Sequence, residues 1–239
     1  MPKQYSRLHK GEVTLRLGCN LANGKVGGDS KIGCVLGLDF KHLDGASFMS
    51  NGDCYGHLCT NYGSKWQLDG RYFDGEDNYV EVPFSESINP KKAITFEGWS
   101  VLNSVADRRI SGSRELHYRW IDFEAGTGRY NWCIGRGGDW IYQGVQDWTL
   151  PVGEWFHLAY VVDWESGWGK VYLDGVEKSS ATFTAGAVAG NTDNLYIGSY
   201  SPTGYLWLGK SAEVRIYNRA LSALEIQNHY QQERHLFGI

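Results

Sequence analysis

The sequence predicts an all-β fold, a two-sheet antiparallel jelly-roll sandwich with one short C-terminal helix, and three observations carry that reading. From residue 33 onward, short apolar or alternating segments recur with turn signals roughly every ten residues, the spacing of antiparallel sandwiches. Glycine is abundant, 31 residues against 5 prolines, which suits a chain that reverses direction often. Only one helix start is well signalled, and it lies near the C-terminus.

Taken in order, "EVTLRL" (12–17) alternates polar and apolar residues and is followed by the turn-rich connector "GCNLANGKVGGDS" (18–30). "GCVLGLDF" (33–40) reads as a buried strand, and "HLDGASFMSNGDCYGHL" (42–58) as a loop dense in Gly, Asn, Asp and Ser. "NYVEV" (78–82) returns to strand alternation. Further strands are expected at "AITFEGWSVL" (93–102), "LHYRWIDFE" (116–124), "RYNWCI" (129–134), "DWIYQGV" (139–145) and "EWFHLAYVVD" (154–163). "GKVYLDG" (169–175), "NLYIGSY" (194–200) and "AEVRIY" (212–217) complete the set, and Asp174-Gly175 supplies the positive φ values of a tight hairpin. Ser222 and Glu225 make an S-x-x-E capping box and Leu221 with Ile226 a hydrophobic staple, so a helix is expected from about Ala223 to Tyr230.

The charge excludes one class of partner and suggests another. A net charge of −4 argues against nucleic acid, whose phosphates call for an excess of Lys and Arg. Within residues 1–31, however, Lys3, Arg7, Lys10, Arg16, Lys25 and Lys31 outnumber Glu12 and Asp29, giving +4 and leaving −8 on the rest. The chain therefore divides into a basic arm or attachment hairpin (1–31), able to dock on an acidic assembly partner, and a body (32–239). No apolar run approaches the ~18 residues of a membrane helix, and the first residues have no apolar segment of signal-peptide kind. The five cysteines are odd in number and lack zinc spacing, so free thiols are expected; Cys54 and Cys59, in one Gly-rich loop, can pair in an oxidising environment.

The order of "VLGLDF", "FDGEDNYVEVP" (73–83), "AITFEGW", "KVYLDGVEK" and "VRIYNRALSALEI" (214–226) resembles the concanavalin A-like, laminin-G-like jelly-roll family over roughly residues 33 to 231. The resemblance implies two packed antiparallel sheets, one concave, in a module that binds glycans or proteins and is usually not catalytic. Retaining glycosidases of this architecture carry Glu-x-Asp-x-Glu along one strand, and here "WIDFE" aligns with it as Trp120, Asp122 and Glu124. Tryptophan stands at the nucleophile position, and without that carboxylate no glycosyl-enzyme intermediate can form. The expectation is therefore no enzyme, with a glycoside hydrolase or polysaccharide lyase as the alternative.

Relatives also hold calcium between the Gly-rich loop and an acidic pair in the last strand. Met49 and Ala212 occupy two ligand positions here, leaving Asn51, Asp53 and Glu213, fewer oxygens than calcium wants, so no metal or other cofactor is expected. Ligand contact is expected from rings in turn-rich segments: Trp140, Tyr142 and Trp148 in "GGDWIYQGVQDWTL" (137–150), and Tyr200, Tyr205 and Trp207 in "GSYSPTGYLWLG" (198–209), with Tyr205 and Trp207 on one face. Trp99, Trp155, Phe156 and Tyr160 sit in strong strand patterns and are assigned to structure. The resulting expectation is a carbohydrate- or protein-binding adhesion module facing the extracellular side, displayed on a large assembly such as a virion as a decoration or fibre protein.

Overall fold

The computed structural model describes residues 19–20, 25–26, 31–105, 112–114, 118–123, 129–136, 139–186, 188 and 192–239; for 19–20, 25–26, 112–114, 118–123, 136, 139–140, 143 and 145 it describes backbone alone. "EVTLRL" and most of the basic arm lie outside these residues. The described strands are β1 (Cys19–Asn20), β2 (Lys25–Val26), β3 (Cys34–Asp39), β4 (Ser47–Met49), β5 (Leu58–Tyr62), β6 (Lys65–Gln67), β7 (Gly70–Asp74), β8 (Tyr79–Val82) and β9 (Ala93–Leu102). They continue as β10 (Gly112–Arg114), β11 (Tyr118–Phe123), β12 (Arg129–Arg136), β13 (Asp139–Thr149), β14 (Trp155–Asp163), β15 (Trp168–Leu173), β16 (Val176–Thr182), β17 (Leu195–Ile197) and β18 (Leu208–Tyr217), before the helix α1 (Ala223–Glu233) and a 3-10 turn (Arg234–Phe237).

All pairings between neighbouring strands in the two large sheets are antiparallel. The first sheet runs β16-β15-β14-β9-β18-β7-β6, with β3 also paired to β18; the second runs β13-β12-β11-β10-β17-β8-β5-β4. β1 and β2 form a separate two-stranded ladder inside the turn-rich connector. Every strand expected from residue 33 onward is present, and the expected Gly-rich loop additionally holds β4. At the β15–β16 hairpin Asp174 (φ 52) and Gly175 (φ 76) take the left-handed conformation a two-residue turn requires.

The sandwich core lies between the sheets and takes alternate residues from each: Ile94 and Phe96, Leu158, Tyr160 and Val162, Val214 and Ile216 from the first, Val80, Val82, Trp132, Ile134, Leu195 and Ile197 from the second. Most of the intervening residues of the central strands β9, β14 and β18 are buried as well. Ala159, Val161 and Tyr217 pack with Leu221 and Ile226, and Trp99 and Ala212 with Tyr230 and Phe237, because α1 and the 3-10 turn cover that outer face. Burial on both faces is why "AITFEGWSVL" and "EWFHLAYVVD" read as almost continuous apolar runs.

Helix α1 starts where the sequence places it and runs three residues past Tyr230. The capping box is made in both directions: Ser222 Oγ accepts from the Glu225 amide at 3.3 Å, and Glu225 Oε2 accepts from the Ser222 amide at 2.8 Å. Arg219 donates to Glu225 at 2.7 Å, and this bond, with the Ser222 contacts, draws the Glu225 carboxyl down to about 2.

Under α1 lies a buried charge cluster. Glu97, at 0% exposure on β9, receives the Tyr217 hydroxyl at 3.1 Å, stands 3.1 Å from Arg215 Nε and meets His229 Nδ1 of the helix at 2.9 Å. Arg215 in turn donates to Glu233 at 2.6 Å, and Trp99 donates its indole N–H to the same carboxylate oxygen at 2.8 Å. Burial alone pushes Glu97 up, but Arg215 and the His229 bond outweigh it and hold the carboxyl well below its usual range. His157, 3.8 Å from Glu97, behaves oppositely: complete burial outweighs the carboxylate and lowers it to about 4, so it is a neutral ring and not half of an ion pair.

The cysteines correct the expectation of free thiols in one place. Cys54 is disulfide-bonded, whereas Cys59 is free and buried, so the suggested Cys54–Cys59 pair is not made. The strand alternation that turns Cys59 into the core, where it has 0% exposure, takes it away from the loop. Burial pushes the Cys34 and Cys59 thiols up to about 12, which makes them inert packing groups.

Two outcomes follow from the charge cluster. Arg215→Met leaves Glu97 buried without its guanidinium and should cost about 3–5 kcal/mol in a denaturant melt. His157 takes its proton near 6.5 when unfolded and near 4 when folded, so the unfolded chain binds more protons between those values and stability should fall as pH drops through that window. A urea midpoint series from pH 7 to pH 4 measures this, and His157→Gln should flatten the slope between pH 6.5 and pH 4.5.

Candidate functional site

The strand aligned with the glycosidase motif is β11, and its backbone departs from simple alternation. Arg119 pairs with Cys133 and Asp122 with Asn131, so three steps on β11 match two on β12. That bulge interrupts the strict period of two in the β11 backbone. Glu124 lies outside the described residues.

At the loop aligned with the calcium site, the remaining oxygens are already used by the chain. Asp53 Oδ2 accepts from the Gly37 amide at 2.9 Å, and its Oδ1 accepts from the Tyr55 and Gly56 amides at 2.7 and 2.9 Å. Asn51 Oδ1 accepts from the Asp39 amide at 2.9 Å, and Glu213 lies 3.6 Å from Arg215. The loop is seated on β3 by backbone contact: Asn51 and Gly52 amides both donate to the Gly37 carbonyl, and a Cβ on Gly37 would stand 2.6 Å from Gly52. The donor set therefore does not fit calcium, because the carboxylate that would bind it already accepts three N–H groups. Met49, at 42% exposure, supplies no oxygen.

The six expected contact rings divide. Tyr142 and Trp148, on the edge strand β13, turn toward the sandwich interior: Tyr142 lies 4.8 Å from the Trp132 ring, and Trp148 stacks on Tyr130 at 4.9 Å. Trp148 donates its indole N–H to Ser179 at 2.8 Å, and Ser179 donates to Gln146 at 2.7 Å, so these groups tie β13 to β16 across the open side of the sandwich. Both rings remain partly exposed. Trp140 is described by backbone alone.

In the turn between β17 and β18, Tyr205 is 47% exposed with its ring 6.2 Å from that of Tyr200. Trp207 corrects the expectation: it has 0% exposure and packs in the core. Tyr205 has a positive φ of 28 and lies before β18 begins, so strand alternation does not operate there and the two rings do not share a face.

A further group of rings emerges on the side of the second sheet that faces away from the core. Val80, Val82, Leu195 and Ile197 point inward, which puts Tyr79, Glu81 and Tyr196 on the outer side. Tyr62 of β5 pairs with Tyr79 and stacks on it at 4.5 Å, and Tyr196 of β17 meets Tyr79 edge-on at 5.8 Å. Thr60 and Tyr196 flank Glu81 in the ladder. Tyr62 is 42% exposed and Leu58 56%, Tyr196 is partly exposed, and Tyr79, packed between the other two rings, is 8% exposed; among the described residues no helix lies over this face as α1 does over the first sheet. Burial, then the neighbouring phenols and Glu81, raise Tyr79 and Tyr196, so both keep their hydroxyl protons as donors. Ring faces, hydroxyl donors and one carboxylate acceptor together suit a polyhydroxylated ligand. The alternation of "NYVEV" and "NLYIG" carries the outward direction of Tyr79 and Tyr196; their adjacency to Tyr62 depends on strand order, which no local signal supplies.

The sequence profile of the concanavalin A-like lectin/glucanases superfamily matches residues 74–227. No curated protein matches the chain in sequence. Among solved structures, the chain is similar to a sialidase of Trypanosoma rangeli, with a TM-score of 0.65 and 16% identity over 84% of this chain and 33% of that one. It is also similar to the binding domain of Paraclostridial Mosquitocidal Protein 1 (TM-score 0.68, 14% identity, 85% of this chain and 53% of that one). A third is the botulinum neurotoxin serotype D ligand binding domain in complex with N-acetylneuraminic acid (TM-score 0.66, 12% identity, 84% of this chain and 51% of that one). The chain thus spans 33–53% of the length of these proteins, and at such identities the likeness concerns the fold.

Calcium chelation should leave the thermal midpoint unchanged, because Asp53 is satisfied by amides. A folded-state site held at 100 times its Kd would instead contribute about 2.7 kcal/mol. A scanning melt in chelator, with and without added calcium, reads the difference.

Proposed function

The chain belongs to the concanavalin A-like lectin/glucanases superfamily, and on that premise we propose that it is a non-catalytic module that binds glycans through the uncovered face of its second sheet. The observation that carries this reading is the row of Tyr62, Tyr79 and Tyr196 across three adjacent strands. Stacked and edge-on rings fix one another's orientation, so a sugar meets a preformed surface and little side-chain freedom is lost on binding. The phenol hydroxyls and Glu81 supply the directed hydrogen bonds. Tyr200 and Tyr205 pair with each other in the turn that follows β17 and are a second aromatic candidate for contact.

Two solved binding domains of similar fold support the reading, one of them bound to N-acetylneuraminic acid. The sialidase likeness covers 33% of that enzyme and carries no activity to this chain. Hydrolysis on this fold, the alternative, requires a nucleophile where the aligned position holds Trp120. Display on a larger assembly is part of the same proposal. It is supported by the +4 charge of residues 1–31 against −8 on the body, and by the Cys54 disulfide, which suits an oxidising exterior.

A glycan array followed by calorimetry on the best ligand tests the proposal. Tyr62→Ala and Tyr196→Ala should each weaken binding roughly tenfold, about 1.4 kcal/mol, with unchanged melting. Incubation with β-glucans, agars and sialosides should release no reducing sugar or free sialic acid. Binding that ignores both tyrosines, selective binding of proteins alone, or turnover abolished by Glu124→Gln would overturn it.

A further inference from the structure

Where the 3-10 turn after α1 passes the ends of β14 and β15, it borders an open pocket of about 430 Å³ whose lining includes Glu154, Trp155, Asp174, Phe237 and Ile239, with Glu154 and Ile239 exposed at its rim. This pocket belongs to the helix-covered side of the first sheet and shares no residue with the tyrosine row. Trp155 and Phe237 form a corner, their ring centroids 4.9 Å apart and their planes inclined by 48°. Trp99 stacks behind Phe237 at 4.2 Å and fixes it in place, and Lys41 Nζ stands 5.2 Å from the Phe237 centroid, so the chain already sets one ammonium against this ring. Asp174 is held in the β15–β16 hairpin by the His157 amide, which donates to its Oδ1 at 2.9 Å. Burial raises its pKa, and that amide and Lys178 offset the effect only in part.

The lining pairs two carboxylates, Glu154 and Asp174, with two aromatic rings, and the nearest cations, Lys41 over Phe237 and Lys178 beside Asp174, are not part of it. The geometry points to a binding site for an organic ammonium ion, alkyl or quaternary, whose charge is met by Glu154 and Asp174 and whose carbon groups pack on Trp155, Phe237 and Ile239. Attraction of a desolvated cation to an aromatic ring adds to the carboxylate field in such a corner. A bare metal ion is disfavoured, because rings displace the six to eight oxygens that calcium needs. A neutral sugar is disfavoured too, since ionised carboxylates only accept hydrogen bonds and leave most of a sugar's own acceptors unmet.

The test uses the full chain and follows tryptophan fluorescence and two-dimensional NMR while tetramethylammonium, choline, N-acetyl-lysine methylamide or methyl β-glucoside is added at constant ionic strength. The ammonium probes should bind and perturb the Trp155 indole signal, and the neutral glucoside should not. The quaternary and primary ammonium arms distinguish a methylated head group from a lysine side chain as the source. Glu154→Gln with Asp174→Asn preserves side-chain size and the acceptor for the His157 amide, and asparagine tolerates the left-handed backbone at 174. This double variant should melt as the parent does and bind the ammonium probes at least tenfold more weakly. Equal response to charged and neutral probes, no response to any ammonium probe, or undiminished affinity in the double variant would overturn the assignment. None of these outcomes bears on glycan binding, which Tyr62 and Tyr196 report separately.

Discussion

Glu97 is the residue around which one half of the molecule is organised. A carboxylate with no exposure on the outer face of a β-sheet is tolerable only if its charge is met on every side. Two strands and the C-terminal helix each supply part of the answer. Tyr217 and Arg215 come from β18 and His229 from α1, while Glu233 balances the second half of the guanidinium and receives the Trp99 indole. The helix is thereby docked by directional bonds as well as by the packing of Ile226 and Tyr230.

That docking divides the labour between the two sheets. The central strands of the first sheet, β9, β14 and β18, are buried on both faces, held between the sandwich core and the helix. The second sheet has its inner face in the core, and on its other face, which no helix covers among the described residues, tyrosines from β5, β8 and β17 meet. Its edge is treated differently again. On β13, Tyr142 and Trp148 fold inward, and Trp148 bonds to Ser179 of β16, so these two rings close the sandwich and lie apart from the tyrosine row. Aromatic abundance in this chain therefore serves three separate tasks: core filling, edge closure and a partly exposed row.

The Gly-rich loop before β5 illustrates how a fold can keep a loop and change what holds it. Asp53 binds three amides where a metal-binding relative would offer oxygens to an ion, and the meeting of Gly37 with Gly52 seats the loop at a distance no side chain permits. The disulfide at Cys54 adds a covalent constraint to the same loop.

Local signals in the sequence determined the longer strands such as β9, β14 and β18, the Asp174-Gly175 hairpin and the capped helix, because each depends on neighbours a few residues apart: alternation, a positive φ, a side chain reaching a nearby amide. They did not determine the short strands β4–β7 and β10. Which face of a strand is covered depends on partners far away in the chain. Glu97 read as one polar residue in an apolar run, and only the packing of α1, more than 120 residues later, makes it the centre of a charge cluster. Trp207 read as an exposed ring because glycine and serine surround it, yet the crossing from one sheet to the other carries it into the core. Tyr62, Tyr79 and Tyr196 become neighbours only through strand order. Tertiary structure decided these points because exposure and adjacency are properties of the assembled sheets, set by long-range pairing that no window of sequence contains.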